Sequence, residues 1–345
     1  MGIKFRYISV FIFICSLLSA QNQPKFSGLM FGDYYYYSDN ITPANINMNG
    51  FQFRRIYFTV DYSIAENFDT RFRLESDQSA NSNTGGGKLG VMVKDAYLKW
   101  KEIFSGSDLV VGIAPTPAFE VSEAAWSYRS LEKTILDLNG IVSSRDFGID
   151  LKGRLTEGGS LNYWLKFSNN SGNGPETDKY KRYAAMIQIK PLDGFQATIY
   201  SDYSAYSQKN DVVTQQDKEN NAFVGALFLN YQQQSEFGLG FEAFIKSQQN
   251  NYYPDPTTAL QNQNGSGISL WGWVSFSDIL RLVGRFDSFD PNTDRANDGN
   301  TMILGGLDFK VAKNVSIIPN IQIFNYQNNS DHQNISERVT FYFTF

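Results

Sequence analysis

Tight joints and long polar joints take turns along almost the whole of this 345-residue chain. They separate segments with a two-residue apolar period. A strand sends successive side chains to opposite faces, so that period marks a strand with one apolar and one polar face. Phe68-x-Thr70-x-Phe72-x-Leu74, Phe147-x-Ile149-x-Leu151, Leu161-x-Tyr163-x-Leu165-x-Phe167 and Phe237-x-Leu239-x-Phe241-x-Ala243-x-Ile245 are the clearest cases. Alternation and turn chemistry together give about sixteen strands of roughly 8 to 11 residues. They fall near 27–38, 51–62, 68–77, 91–100, 108–115, 145–153, 160–168, 182–191, 195–204, 221–231, 237–247, 267–276, 279–288, 301–310, 314–325 and 337–345. Segments 221–231 and 267–276 alternate poorly, and Phe51/Phe53 sit out of register with Ile56/Phe58/Val60, which suggests a bulge.

The joints 63–67, 101–107, 156–159, 192–194, 232–236, 277–278 and 312–313 are tight. The joints 39–50, 78–90, 116–144, 169–181, 205–220, 248–266, 289–300 and 326–336 are long and polar. A soluble β-sandwich has no reason to gather its long loops at one end. An all-β, transmembrane antiparallel barrel with both termini in the periplasm does, with tight periplasmic turns and long outer loops.

The chain ends agree. Met1–Ala20 places Lys4 and Arg6 before the apolar run Ile8–Leu18, then Ser19-Ala20, and reads as a secretory signal peptide. The barrel domain is then 21–345. Cys15, the only cysteine, lies within that leader, so the mature chain offers no thiol for disulfides or metal. Losing Lys4 and Arg6 leaves 28 of the 30 basic residues against 35 acidic ones, and this acidity argues against nucleic acid as a partner. After Ala20 no run approaches the roughly 18–20 apolar residues that a membrane helix requires. At the other end Val339, Phe341, Phe343 and Phe345 alternate with polar residues and stop on Phe345. That ending resembles the signal read by the barrel-assembly machinery of the bacterial outer membrane, which makes the machinery and outer-membrane lipid expected partners.

A barrel of about sixteen strands is too wide for side chains to fill, and an aqueous channel remains. Charge on the lipid face costs about 2–4 kcal/mol per residue at mid-membrane. The alternation therefore turns Arg55, Arg71, Arg73, Glu75, Asp95, Lys99, Asp150, Lys152, Lys166, Glu242, Arg281, Arg285 and Arg338 inward. Tyr34–Tyr37, Trp100, Tyr203, Trp271 and Trp273 lie near strand ends, where aromatic girdles form.

The joint 116–144, the third long loop, differs from the Asn/Gly/Ser-rich others. Ser122 is placed to cap a helix, and Ala124, Tyr128, Leu131, Ile135 and Leu138 recur at helical spacing. Arg129 and Lys133 stand opposite, with Glu132 and Asp137 nearby. An apolar stripe requires a wall, and Val110, Gly112 and Ala114 of the neighbouring strand offer small inward residues. The loop is expected to fold inward and narrow the barrel, the alternatives being an outer lid or a subunit contact.

Phe53-Arg54-Arg55-Ile56-Tyr57-Phe58, Arg71-Phe72-Arg73-Leu74-Glu75, Lys94-Asp95-Ala96-Tyr97-Leu98 and Val111-Gly112-Ile113-Ala114-Pro115 resemble the phosphate-selective porin O and P family. The resemblance is clearest over 50–155. It implies a sixteen-stranded, trimeric outer-membrane channel for small hydrophilic solutes, with phosphate-selective members using arginines and lysines at a constriction. The matching candidates are Arg55, Arg71, Arg73, Arg129, Lys133 and Arg145. Glu120, Glu123, Glu132, Asp137 and Asp146 stand among them, so the expected bias is weakly toward anions or absent.

Two rivals come from other classes. A membrane hydrolase would need a base beside a nucleophile, and the single histidine, His332, follows Ser330-Asp331 in the last long joint; adjacent loop residues rarely form a triad. A calcium-stabilised adhesin would use Asp290, Asn292, Asp294 and Asp298, but Arg295 stands where the calcium-loop template needs glycine. The sequence suggests no cofactor and no metal.

Overall fold

The protein is described by a computed structural model covering residues 23–76, 78, 89–233 and 235–345. The expected leader, Cys15 and most of the joint 78–90 lie outside the described residues. In chain order the strands are β1 (Lys25–Asp39), β2 (Asn49–Ala65), β3 (Phe68–Ser76), β4 (Met92–Phe104), β5 (Ser107–Pro115), β6 (Arg145–Arg154), β7 (Leu161–Ser168), β8 (Arg182–Leu192) and β9 (Phe195–Ser204). They continue as β10 (Lys209–Asp211), β11 (Gln216–Lys218), β12 (Ala222–Gln233), β13 (Phe237–Tyr252), β14 (Gln261–Ser277), β15 (Leu280–Asp290), β16 (Asn300–Ala312), β17 (Val315–Tyr326) and β18 (Asn329–Thr344). All but β10 and β11 form one closed antiparallel barrel in which each strand pairs with its neighbours in sequence and β18 closes on β1. No described helix is long and apolar enough to cross a membrane.

The sixteen expected strands are the sixteen staves. Closure leaves no free edge, and every stave is hydrogen-bonded on both sides. Alternation sorts the two faces: Phe72, Leu98, Ile199, Leu270 and Ile303 stand exposed on the outside, while Asp95, Asp150 and Glu242 are buried on the inside. At the seam the Gly28 and Phe345 backbones exchange hydrogen bonds of 2.9 and 3.1 Å. A Cβ at Gly28 would come within 2.1 Å of the Phe345 ring, so the ring lies directly on the bare backbone. Gly28→Val is expected to lower the yield of closed barrel, read as loss of the fast-migrating band in unheated electrophoresis.

Bulges break the alternation on β2 and β4. In the β1–β2 ladder Phe31 pairs with Arg55 and Gly32 with Phe53, leaving Arg54 as the extra residue. In the β3–β4 ladder Arg73 pairs with Asp95 and Leu74 with Val93, leaving Lys94. A bulge re-aims a side chain. Here each one allows two consecutive charged residues to make ion pairs within the barrel: Arg54 with Asp33, Arg55 and Lys94 with Glu75, and Asp95 with Arg73.

Strands β13, β14 and β18 outrun their sequence limits at the long-loop rim. There Ser247 bonds Asn264 (2.8 Å) and Asn251 bonds Gln263 (2.7 Å). A ladder wetted on both faces has no apolar period to betray it. The hairpin β10–β11, within a joint read as plain loop, is fixed by Asp211, which accepts the Val213 N–H (3.0 Å) and pairs with Lys218 (3.1 Å).

Candidate pore constriction

The third long loop enters the barrel at Thr116, whose backbone and hydroxyl bond the carbonyls of Ser144 (3.2 Å) and Ser143 (2.7 Å) at the exit. Between these stems run two short helices, α1 (Glu120–Trp126) and α2 (Ile135–Leu138). The expected single stripe is thus divided, because Ser127 turns left-handed (φ +55°) and ends α1. Ser122 lies inside α1, buried, and is not its cap, a position held by Phe119. Ala124 is exposed inside the barrel, while Ala125 and Trp126 join Tyr128, Leu131 and Ile135 among the buried residues.

Their wall is not the neighbouring strand. Phe119, Ile135, Leu136, Ile141 and Val142 pack with Trp164, Met186, Tyr200, Val224 and Phe244 of β7–β13. Ala125, Trp126, Tyr128 and Leu131 pack with Phe228, Trp271, Trp273, Val283, Met302, Leu304 and Ile318 of β12–β17. The loop therefore crosses the lumen and its two apolar clusters dock on β7–β17, while the expected wall residues Val110 and Ala114 are buried but belong to neither cluster. This also explains the poor alternation of β12 and β14, whose inner faces are apolar to receive the loop. It corrects Trp271 and Trp273 as well. They point inward, with indoles lying over Gly240 and Gly238, where a Cβ would come within 2.2 and 2.6 Å. Trp100 and Tyr203 do stand exposed on the outside.

Buried carbonyls of an irregular segment need donors, and the wall supplies them. Arg54 of β2 donates to the carbonyls of Ser130 and Leu131, Gln322 of β17 to Leu131 (2.8 Å), Gln232 of β12 to Ala125 (2.8 Å), and Arg285 of β15 to Lys133. Tyr128 donates to Asp308 of β16 (2.9 Å). Glu242 of β13 meets Ser122 and the Ile135 backbone. Trp126, with no exposed surface, lies tilted against Trp271 with ring centroids 5.3 Å apart and donates to the Glu132 carbonyl (2.9 Å). Trp126→Ala removes a fully buried side chain, a loss of about 3–5 kcal/mol. The expected readout is a noisy channel with frequent excursions to higher conductance.

The loop's other side carries its charges, and they face β2–β6. Arg129 pairs with Asp137 (3.0 Å) and Glu123 (3.3 Å) within the loop and lies within electrostatic range of Glu75 and Tyr57 on the wall. Asp137 lies within the same range of Arg55, and Glu123 of Arg145. On the wall Arg55 and Lys94 share Glu75, and Arg73 and Arg145 share Asp95. Glu120 of the loop reaches Lys152 of β6 at 3.6 Å. Toward the tight-turn rim Arg71 grips Asp61 with two bonds of 2.7 and 3.0 Å, and Lys99 lies between Asp69 and Asp108.

Of the candidate residues, Arg55, Arg73, Arg129 and Arg145 come together where the loop's charges face the wall. Arg71 lies nearer the tight-turn rim. Glu132 folds back onto the Lys133 N–H (2.9 Å), and the Lys133 side chain has no carboxylate partner among the described residues. Arg54 and Lys94 were missed as site residues because simple alternation sends them outward; the disturbed apolar register around Phe51–Val60 was the available signal. His332 lies 3.0 Å from Asp39, a contact that ties β18 to β1 at the long-loop rim. In the acidic joint Asp290 accepts the Asn292 N–H (3.0 Å), and no cluster of three metal-binding side chains is found among the described residues.

The chain matches no protein-family model and no curated protein in sequence. Solved structures do match in fold. The outer-membrane channel DcaP of Acinetobacter baumannii superposes with a TM-score of 0.67 at 11% identity, over 94% of this chain and 98% of that one. An anion-selective porin from Comamonas acidovorans gives 0.66 at 9% identity, over 94% and 100%. Salmonella typhi OmpF, in complex with daunomycin, gives 0.66 at 13% identity, over 94% and 98%. The architecture is that of outer-membrane porins.

Proposed function

We propose that the protein is a porin of the bacterial outer membrane, a passive water-filled channel for small hydrophilic solutes. The observation that carries this reading is the two-sided third loop. Its apolar side is spent on the far wall, and its charged side turns toward the charged wall β2–β6. An apolar exterior band facing lipid and a polar interior are what such a channel requires. The tight-turn rim then faces the periplasm and the long-loop rim the outside. Residues 1–20 serve as the export signal, the barrel-assembly machinery takes the chain by the strand ending in Phe345, and the working unit is a homotrimer.

The phosphate-selective porin O and P family supplies the architecture in this reading, but not a ladder of bare cations. At the constriction the arginines meet carboxylates, so a permeating ion encounters alternating paired charges with little net sign. A phosphate or other anion is conducted without strong preference. Planar-bilayer recording tests this. The expected result is stepwise openings with a reversal potential near zero in a KCl gradient, and an absence of channel steps would end the porin reading.

A further inference from the structure

Beneath α1, on the tight-turn side of the loop, lies a cavity of about 680 Å³ within the range that binds small ligands. One side of it is a row of amides from adjacent staves. Asn162 donates to Gln188 (3.2 Å), Gln188 to Gln196 (2.9 Å), Gln196 to Asn230 (3.3 Å), and Asn230 to the Leu239 carbonyl (2.8 Å). The bonds all run head to tail in one direction.

A carboxamide has two N–H donors and two lone pairs on its oxygen. Gln188 and Gln196 each spend one donor and one lone pair on the row, which leaves each with one donor and one acceptor side by side. That pairing, repeated from strand to strand, matches neighbouring hydroxyl groups, each of which donates and accepts. The charges around the cavity are largely cancelled: Lys152 pairs with Glu120 (3.6 Å), Arg154 with Glu102 (3.9 Å) and Asp108 with Lys99 (3.8 Å), while Lys190 has no carboxylate partner among the described residues. An anion would find carboxylates beside each of the paired cations. A neutral hydroxylated solute would find a fixed track that carries no charge to be compensated.

We propose that this vestibule is a subsite for neutral polyhydroxylated solutes of saccharide size, with Gln188 and Gln196 as its specificity-determining residues. The inference rests on the porin reading and names the solute class that the pore holds in passage. Binding is weak and shallow, as passage requires.

The test is single-channel recording of the full-length protein in KCl with maltotriose added to the tight-turn side. Wild type is expected to show brief sugar-dependent interruptions, and Gln188→Leu/Gln196→Leu to raise the half-blocking concentration at least about tenfold while still opening in sugar-free KCl. The isosteric Gln196→Glu covers the case in which the double variant does not assemble, and it should weaken the block while still conducting. Trigalacturonate, a linear trisaccharide of comparable length but triply negative, should interrupt the current less than the neutral sugar does. Normal conductance without sugar block, sugar block untouched by the amide changes, or stronger block by trigalacturonate each overturns the subsite and leaves the channel reading intact. Loss of all conductance in wild type would instead strike the porin reading itself.

Discussion

Deleting residues 119–138 should raise single-channel conductance by about threefold or more, because among the described residues the segment is the element that crosses a lumen held open by sixteen staves. The docking contacts set the size of the effect. The loop fills the space beside β7–β17 with Phe119, Trp126, Leu131, Ile135 and Leu136, each at most 1% exposed. Without it Val224, Phe228, Phe244, Trp271 and Trp273 would face water, so the variant should also be less heat-stable while still forming a barrel, since the staves pair independently of the loop. Unchanged conductance would remove the loop from the permeation path.

Arg71→Ala, Arg73→Ala and Arg129→Ala, combined, should turn a nearly unselective pore into a cation-preferring one, with a permeability ratio of about five or more. Each substitution frees carboxylates that the guanidinium now holds: Asp61 at Arg71, a share of Asp95 at Arg73, and Glu123 and Asp137 at Arg129. Glu123→Gln with Asp137→Asn should push the other way and favour anions. The Arg71 and Arg129 pairs are part-exposed, so their contribution to stability is small, about 0–1 kcal/mol each. The buried Asp95 keeps Arg145 as a partner when Arg73 is removed, and the barrel should fold in both variants. A reversal potential that does not move in either direction would show that ions pass elsewhere.

The staves and their order were legible because a lipid-facing barrel wall imposes the most regular pattern a sequence can carry: an apolar residue at every second position, reset by tight turns. The pattern failed where one of its premises failed. On β12 and β14 the inner face meets a protein loop in place of water, so Phe228, Trp271 and Trp273 looked like noise or girdle residues when they mark the docking site. On β2 and β4 a single inserted residue turned Arg54 and Lys94 into lumen charges. Above the membrane both faces are wet, and β13, β14 and the β10–β11 hairpin left no apolar period to find.

At the constriction the residue types were readable and their pairing was not. Arg55, Arg73, Arg129 and Arg145 were picked out through the resemblance to the phosphate-selective porin O and P family, which implies arginines and lysines at a constriction. That Asp95 serves both Arg73 and Arg145, and Glu75 both Arg55 and Lys94, depends on register between staves far apart in sequence. The helical spacing of Tyr128, Leu131 and Ile135 told correctly that the loop needs a wall. It could not say which wall, because small residues at Val110 and Ala114 suit a passing segment as well as the far side does.

The placement of the passage can be measured directly in a Cys15→Ser background, which carries no other thiol. Single cysteines at Arg71, Lys99 and Lys152 on the charged wall, and at Val224, Phe228 and Met302 under the loop, would be treated with a charged water-soluble thiosulfonate during bilayer recording. Stepwise current changes at the first three positions, and none at the second three until residues 119–138 are removed, are the predicted result. Rapid modification at Val224, Phe228 or Met302 with the loop in place would contradict it.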